Sequence, residues 1–189
     1  MSETLFNIIA LGESSDNSNG AYDNLLGMRK VFPSPNGGGV KNTYELVEND
    51  SGIALAPKRA VIYKSGQVNK MVDGYCYVEA DPVAGIVDDQ LPTAGVPDNY
   101  VFWLCVDGHI LGSTALSANA ANLLPADTVL VGATAATSQA TTAGRVKAID
   151  MTGATAVLGG QINNSFGRAI SAKTTANTGV DILTRVRFR

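Results

Sequence analysis

The last nine residues, 181–189, read D-I-L-T-R-V-R-F-R, and this alternation fits one local structure. Ile182, Thr184, Val186 and Phe188 fall on one side of a period-two segment, and Asp181, Leu183, Arg185, Arg187 and Arg189 fall on the other. The pattern predicts a β-strand with one buried face and three arginines along its solvent face. A single strand leaves backbone donors and acceptors open on both edges, so earlier strands must pair with it. The ending therefore demands a sheet.

The chain upstream supplies the partners. Residues 28–32, 60–64, 68–72, 75–78, 129–131, 145–149, 156–158 and 166–171 are short β-prone runs, and strand and turn signals dominate from Thr43 onward. Residues 100–106 (Y-V-F-W-L-C-V) are apolar on both faces and hold the only Trp, which predicts a central strand covered on both sides. Asp73-Gly74 and Asp107-Gly108 each follow such a run and predict two-residue hairpin turns, because a type I′ turn needs positive φ at both positions. Residues 81–99, with Pro82, Gly85, Pro92, Gly95 and Pro97, predict a long irregular connection. Residues 117–124, stopped by Pro125, are the one helix expected. Residues 12–24 are polar and turn-forming, with little to bury, and read as an arm or long loop. The expected organisation is an extended N-terminal arm and loop over residues 1–41 and a β domain over residues 42–189. The fold class is all-β: a compact β-sandwich or partly open β-barrel, jelly-roll or tulip-like, with at most one short helix.

Composition narrows the chemistry. Hydrophobic residues make up 45% of the chain, enough for a core, but charged residues only 16%, so the surface must be largely Ser, Thr, Asn, Gly and Ala. A net charge of −3 gives no general attraction to nucleic acid. Residues 1–13 carry Glu3 where a secretion signal needs positive charge, and residues 108–144 are too polar for a membrane span. Cys76 and Cys105 lie inside apolar runs and read as buried thiols. Gly37-Gly38-Gly39 precedes Lys41, but Val40 intervenes and no helical pattern follows, so it is read as a flexible connection and not as a phosphate loop. Asp81, Asp88, Asp89 and Asp98 lack the alternating ligand spacing of a calcium loop and read as solvated loop acids. His109 is the only histidine, and no nucleophile elbow or dinucleotide fingerprint is present. No catalytic residue, metal ligand or cofactor is therefore assigned.

What remains is an interface. Arg185, Arg187 and Arg189, joined by Arg168 if its strand pairs with the last one, could fork onto carboxylates of a partner; Tyr22 and Leu25 of the arm complete the candidate set. Residues 164–172 (N-S-F-G-R-A-I-S-A), a Thr/Asn-rich turn and residues 180–188 (V-D-I-L-T-R-V-R-F) resemble the ending of tailed-bacteriophage capsid decoration, or cement, proteins, whose chains close with a G-x-A-x-x-A strand, a turn and a final apolar strand. Residues 124–129 (L-P-A-D-T-V) and 144–148 (G-R-V-K-A) are similar to that family's short strands. The resemblance implies a virion protein without enzymatic activity, made in the bacterial cytoplasm. It would sit on the outer surface of an icosahedral head as a homotrimer, bind the major capsid protein and stabilise the lattice, with neither nucleic acid nor membrane as a partner. The alternatives are another virion component of tail, neck or fibre, and a carbohydrate-binding β-sandwich with Trp103 or the tyrosines as a stacking platform.

Overall fold

The computed structural model describes residues 9–36, 39–78, 81–114, 129–149, 155–171 and 181–187. Its strands are β1 (Ser14–Asp16), β2 (Arg29–Pro33), β3 (Lys41–Asn49), β4 (Ala60–Tyr63), β5 (Met71–Tyr75), β6 (Val83–Val87), β7 (Tyr100–Ser113), β8 (Val129–Gly132), β9 (Val146–Ala148), β10 (Gly167–Ala169) and β11 (Asp181–Arg187). One α-helix, α1 (Thr155–Asn163), and one 3-10 turn (Asp23–Leu25) complete the described elements. The chain is all-β. No described helix is long and apolar enough to cross a membrane.

All eleven strands join one hydrogen-bonded network, in the order β2-β3-β5-β4-β6-β7-β11-β10-β8-β9, with β1 on β7. A further β3–β7 pairing closes the path β3-β5-β4-β6-β7 on itself. The result is a small five-strand ring with a sheet extending from β7. Strand β7 is the common member: it gives one edge to β3 over residues 101–107 and the other in succession to β1, β6 and β11. Its apolar first half follows from this position, since Val101 through Val106 are all buried. On one face, Trp103 and Cys105 pack with Tyr44, Leu46, Ile86 and Ile110. On the other, Phe102, Leu104 and Val106 pack with Val47, Val61 and Val87. Each such side chain contributes roughly 1.5–3 kcal/mol through burial. The indole N–H of Trp103 donates to the Ile9 carbonyl at 2.6 Å, so its polar atom is satisfied inside the core.

Four expectations are corrected. Asp73-Gly74 and Asp107-Gly108 are not hairpin turns; they lie inside β5 and β7. Gly74 and Gly108 have φ of 125° and 124°, well beyond the left-handed values of a type I′ turn; Gly74 follows a bulge at Asp73, Gly108 lies two residues after one at Val106, and both strands carry on. Positive φ is found at the two glycines but not at Asp73 or Asp107, and the long-range ladder decided the use of each pair. Second, part of residues 81–99 forms β6. Gly85, which reads as a breaker, allows β6 to approach β7: a Cβ there would meet Leu104 Cγ at 2.5 Å and the Cys105 carbonyl oxygen at 2.8 Å. Third, residues 156–158 belong to α1 and not to a strand. A three-residue apolar run fits either period, and the chain continues helically to Asn163. The Asn164 side-chain amide then donates to the Gly160 carbonyl at 3.0 Å, and the Ser165 hydroxyl to that of Ile162 at 2.9 Å, which closes the helix end. The helix expected over residues 117–124 lies outside the described residues.

Fourth, the polar tract at 12–24 does not project as an arm. Residues 14–16 pair with β7, and Asn17 is buried. Its side-chain amide donates to Glu48 Oε2 at 2.5 Å and to Asp23 Oδ1 at 3.0 Å, while its Oδ1 accepts from the Tyr22 N–H at 2.8 Å. Side chains that look destined for water in sequence satisfy one another against the sheet. β2 likewise joins the sheet as a hairpin with β3.

Gly108 yields the sharpest stability test. A Cβ there would stand 2.2 Å from Asn42 Oδ1 in a backbone conformation that L residues rarely adopt. Gly108→Ala is expected to lower unfolding stability by roughly 2–4 kcal/mol, combining steric and backbone strain. A urea midpoint within experimental error of the parent would show that this position does not need glycine.

Candidate protein interface

The stretch of β7 after the bulge at Val106 also carries the basic surface. There β7 continues antiparallel to β11, which pairs with β10. Arg185 stands opposite His109 on one side and Arg168 on the other, so three basic side chains from three strands form one cross-strand row. Asn42 fixes the β7 end of this row: its Oδ1 accepts the His109 N–H at 2.8 Å and its amide donates to the His109 carbonyl at 2.7 Å. Ser34 and Asn36 of the β2–β3 loop donate to the same carbonyl at 3.2 and 3.3 Å. Burial, with Arg185 nearby, lowers the His109 pKa, so the imidazole is neutral at pH 7 and the row's positive charge comes from the arginines.

The alternation of the final strand holds wherever it can be followed. Thr184 and Val186 are fully buried, and Arg185 and Asp181 are exposed. Asp181 Oδ2 receives Lys58 Nζ at 2.6 Å, so that acid is already paired; Asp107, exposed on β7 opposite Arg187, lies on the same face. The backbone of Arg187 pairs with Asp107, while its side chain and all of Arg189 lie outside what is described. Arg168 is exposed and neighbours Arg185 as the pairing of β10 with β11 requires. Tyr22 and Leu25 are elsewhere: both are half-buried against the core that contains Trp103, and the Tyr22 hydroxyl donates to Ser15 Oγ at 3.0 Å. The structure thus brings Arg168 and Arg185 together and leaves the arm residues out of their row.

Sequence reasoning missed the buried acids. Asp88 and Asp89, expected to be solvated, are 1% and 7% exposed. Asp88 Oδ2 accepts the Gly12 N–H at 2.7 Å and Oδ1 that of Gln90 at 3.1 Å; Asp89 Oδ2 accepts from Asn36 Nδ2 at 2.9 Å and from the Leu111 N–H at 3.0 Å. Asp81 and Asp98 also hold backbone N–H groups, those of Tyr77 and Val78 and that of Gly52. No local signal marks them, because the donors come from distant segments. Burial, opposed by its hydrogen bonds, pushes Asp88 up to about 6 and raises Glu48 as well.

A groove of about 620 Å³ opens where β2 and β4–β6 meet. Its polar end is a relay: Glu45, with a side chain 1% exposed, receives Arg29 Nε on Oε2 at 2.7 Å and the Tyr63 hydroxyl on Oε1 at 2.7 Å. Burial and then the bond to Glu45 raise the Tyr63 pKa, so the phenol stays protonated. Ile62, Val83, Ala84 and Val106 line the apolar part.

The thiols of Cys76 and Cys105 are free and buried, and burial pushes Cys76 up to about 12 and Cys105 well above the ordinary thiol value, which keeps both protonated. No group of three His, Cys, Asp or Glu among the described residues could hold a metal ion. Trp103 is fully buried and offers no platform for a sugar. No protein-family model and no curated protein sequence matches the chain.

Asp88 supplies a pH prediction. Its folded pKa lies above the unfolded 3.8, so its stabilising contribution is complete below that value and is lost as pH rises through about 6. Between pH 4 and pH 7.5 the loss should amount to roughly 2–3 kcal/mol, at about 1.36 kcal/mol per pKa unit. Urea unfolding of Asp88→Asn across this range is expected to move in the variant's favour relative to the parent as pH rises. A constant difference would rule out the assigned titration.

Proposed function

We propose that the protein is a non-enzymatic virion component that binds the outer surface of an icosahedral phage head, as a homotrimer, and stabilises the major capsid protein lattice. The observation that carries this reading is the adjacency of Arg168 and Arg185 on β10 and β11, exposed side by side. Both belong to the segments whose sequence resembles the ending of decoration proteins. Two guanidinium groups on a rigid sheet can each fork onto a carboxylate of a facing protein, and charge-assisted bonds of this kind contribute about 1.5–3 kcal/mol each. Rigidity supports the reading too, because strands β11 and β10 are tied to the central strand and present the pair with little ordering cost on binding. Repeated across a trimer, individually weak contacts gain from high effective concentration. A ligand that binds only the assembled shell shifts the shell away from rupture.

Co-sedimentation of the full chain with undecorated heads tests this. Saturable binding at a fixed ratio to the major capsid protein is expected, with at least about tenfold weaker binding for the double variant Arg168→Glu/Arg185→Glu. Both side chains are exposed, so the double variant should keep the parent's unfolding midpoint. Absence of binding by the parent chain would remove the decoration function; equal binding by parent and variant would remove the arginine pair from it.

A further inference from the structure

We infer that the open edge of β2, with the groove beside it, binds an extended acidic peptide segment of a partner protein by strand addition. β2 stands at one end of the strand order, and no described strand pairs with its outer edge. The ladder it forms with β3 fixes which of its backbone groups face outward. Leu46 N–H donates to the Met28 carbonyl at 2.9 Å and Ser34 N–H to that of Val40 at 2.8 Å, at opposite ends of the pairing. Antiparallel pairs alternate between bonded and non-bonded, so Lys30 and Phe32 turn their backbone groups to β3 while the N–H groups of Arg29 and Val31 point to the open side. An incoming strand finds two donors there, and the outward carbonyls as acceptors.

The side chains say what kind of strand fits. Arg29 and Val31 share one face of β2; Arg29 lines the groove, and Val31 is 56% exposed. Val68, across the groove, is 61% exposed, so two of the three large exposed hydrophobics among the described residues flank this site. A strand laid along β2 places alternate side chains over the groove, next to the Arg29 guanidinium, whose Nε is fixed by Glu45 while most of its side chain stays open. The other alternate side chains face Lys30, held over the Phe32 ring at 5.0 Å. Lys41, exposed at the start of β3 and paired with Pro33, adds a third cation behind the edge. Asp73 is the groove's one lining acid, on β5, so the acid preference belongs to the β2 side. Two cations along an edge whose backbone is open, with Lys41 on the neighbouring strand, select carboxylates in an extended chain. None of this uses Arg168, Arg185 or His109, so the inference stands apart from the decoration reading.

The probe is an acetylated octapeptide of alternating Glu and Thr, with its Lys/Thr counterpart as control, titrated into the full chain and followed by backbone amide shifts and hydrogen exchange. The Glu peptide is expected to shift and protect the amides of Arg29 and Val31 saturably, with the Lys peptide at least about fivefold weaker. Val31→Pro should abolish the effect, because it deletes an outward N–H and no bond to β3. Lys30→Glu, which changes only an exposed side chain, should weaken the Glu peptide and not the control. Equal response to both peptides, no saturable response, or protection confined to other strands would each overturn the proposal. Concentration-dependent self-association that protects the Arg29 and Val31 amides without peptide would also overturn it, assigning the edge to a second copy.

Discussion

Strand β7 must satisfy ladder bonds on both edges and apolar contacts on both faces over the same few residues. Between Val101 and Asp107 it is paired with β3 along one side and, in turn, with β1, β6 and β11 along the other. A strand so placed cannot present a polar face, and the run Val101 to Val106 has none. The two core clusters are the two sides of this one strand. Disturbing it would therefore affect the closed ring, the docking of residues 14–16 and the anchorage of the final strand together.

The change of partners along β7 comes at the bulge between Cys105 and Asp107, just before Gly108. Before it, the strand completes the ring with β3; after it, the strand runs alongside β11. Asn42 fills the space a side chain at Gly108 would need and bonds both backbone groups of His109. The same arrangement sets the position of Arg185 opposite His109, and hence of Arg168. The proposed interface thus derives its rigidity from a core feature.

Polar residues fasten the periphery. Asn17 joins Glu48 and Asp23, Asp88 holds Gly12, and Asn49, fully buried, donates to the carbonyls of Ile53, Val96 and Pro97 at 2.7–3.0 Å. A buried polar group left without a partner is costly, so each of these networks specifies one position for its segment more sharply than apolar contact would. They also place ionisable groups out of water, which is why Asp88 and Glu48 have raised pKa values. Glu45 extends this logic to the groove, where one buried carboxylate orients both Arg29 and Tyr63.

The sequence by itself determined the all-β class, the central position of residues 100–106, the in-and-out alternation of Thr184, Arg185 and Val186, and the burial of both cysteines. Each is written in local periodicity, which a strand transmits directly to its two faces. Only the tertiary structure decided that Asp73-Gly74 and Asp107-Gly108 continue their strands, that Gly85 belongs to β6, that residues 156–158 are helical, and that the polar tract at 12–24 lies on the sheet. It also decided that Arg168 and Arg185 are neighbours and that Arg29, Glu45 and Tyr63 meet at one groove. The physical reason is the same throughout. A glycine's positive φ, an aspartate's acceptors or an arginine's charge is a local capacity, and its use depends on which distant backbone or side chain the fold brings against it.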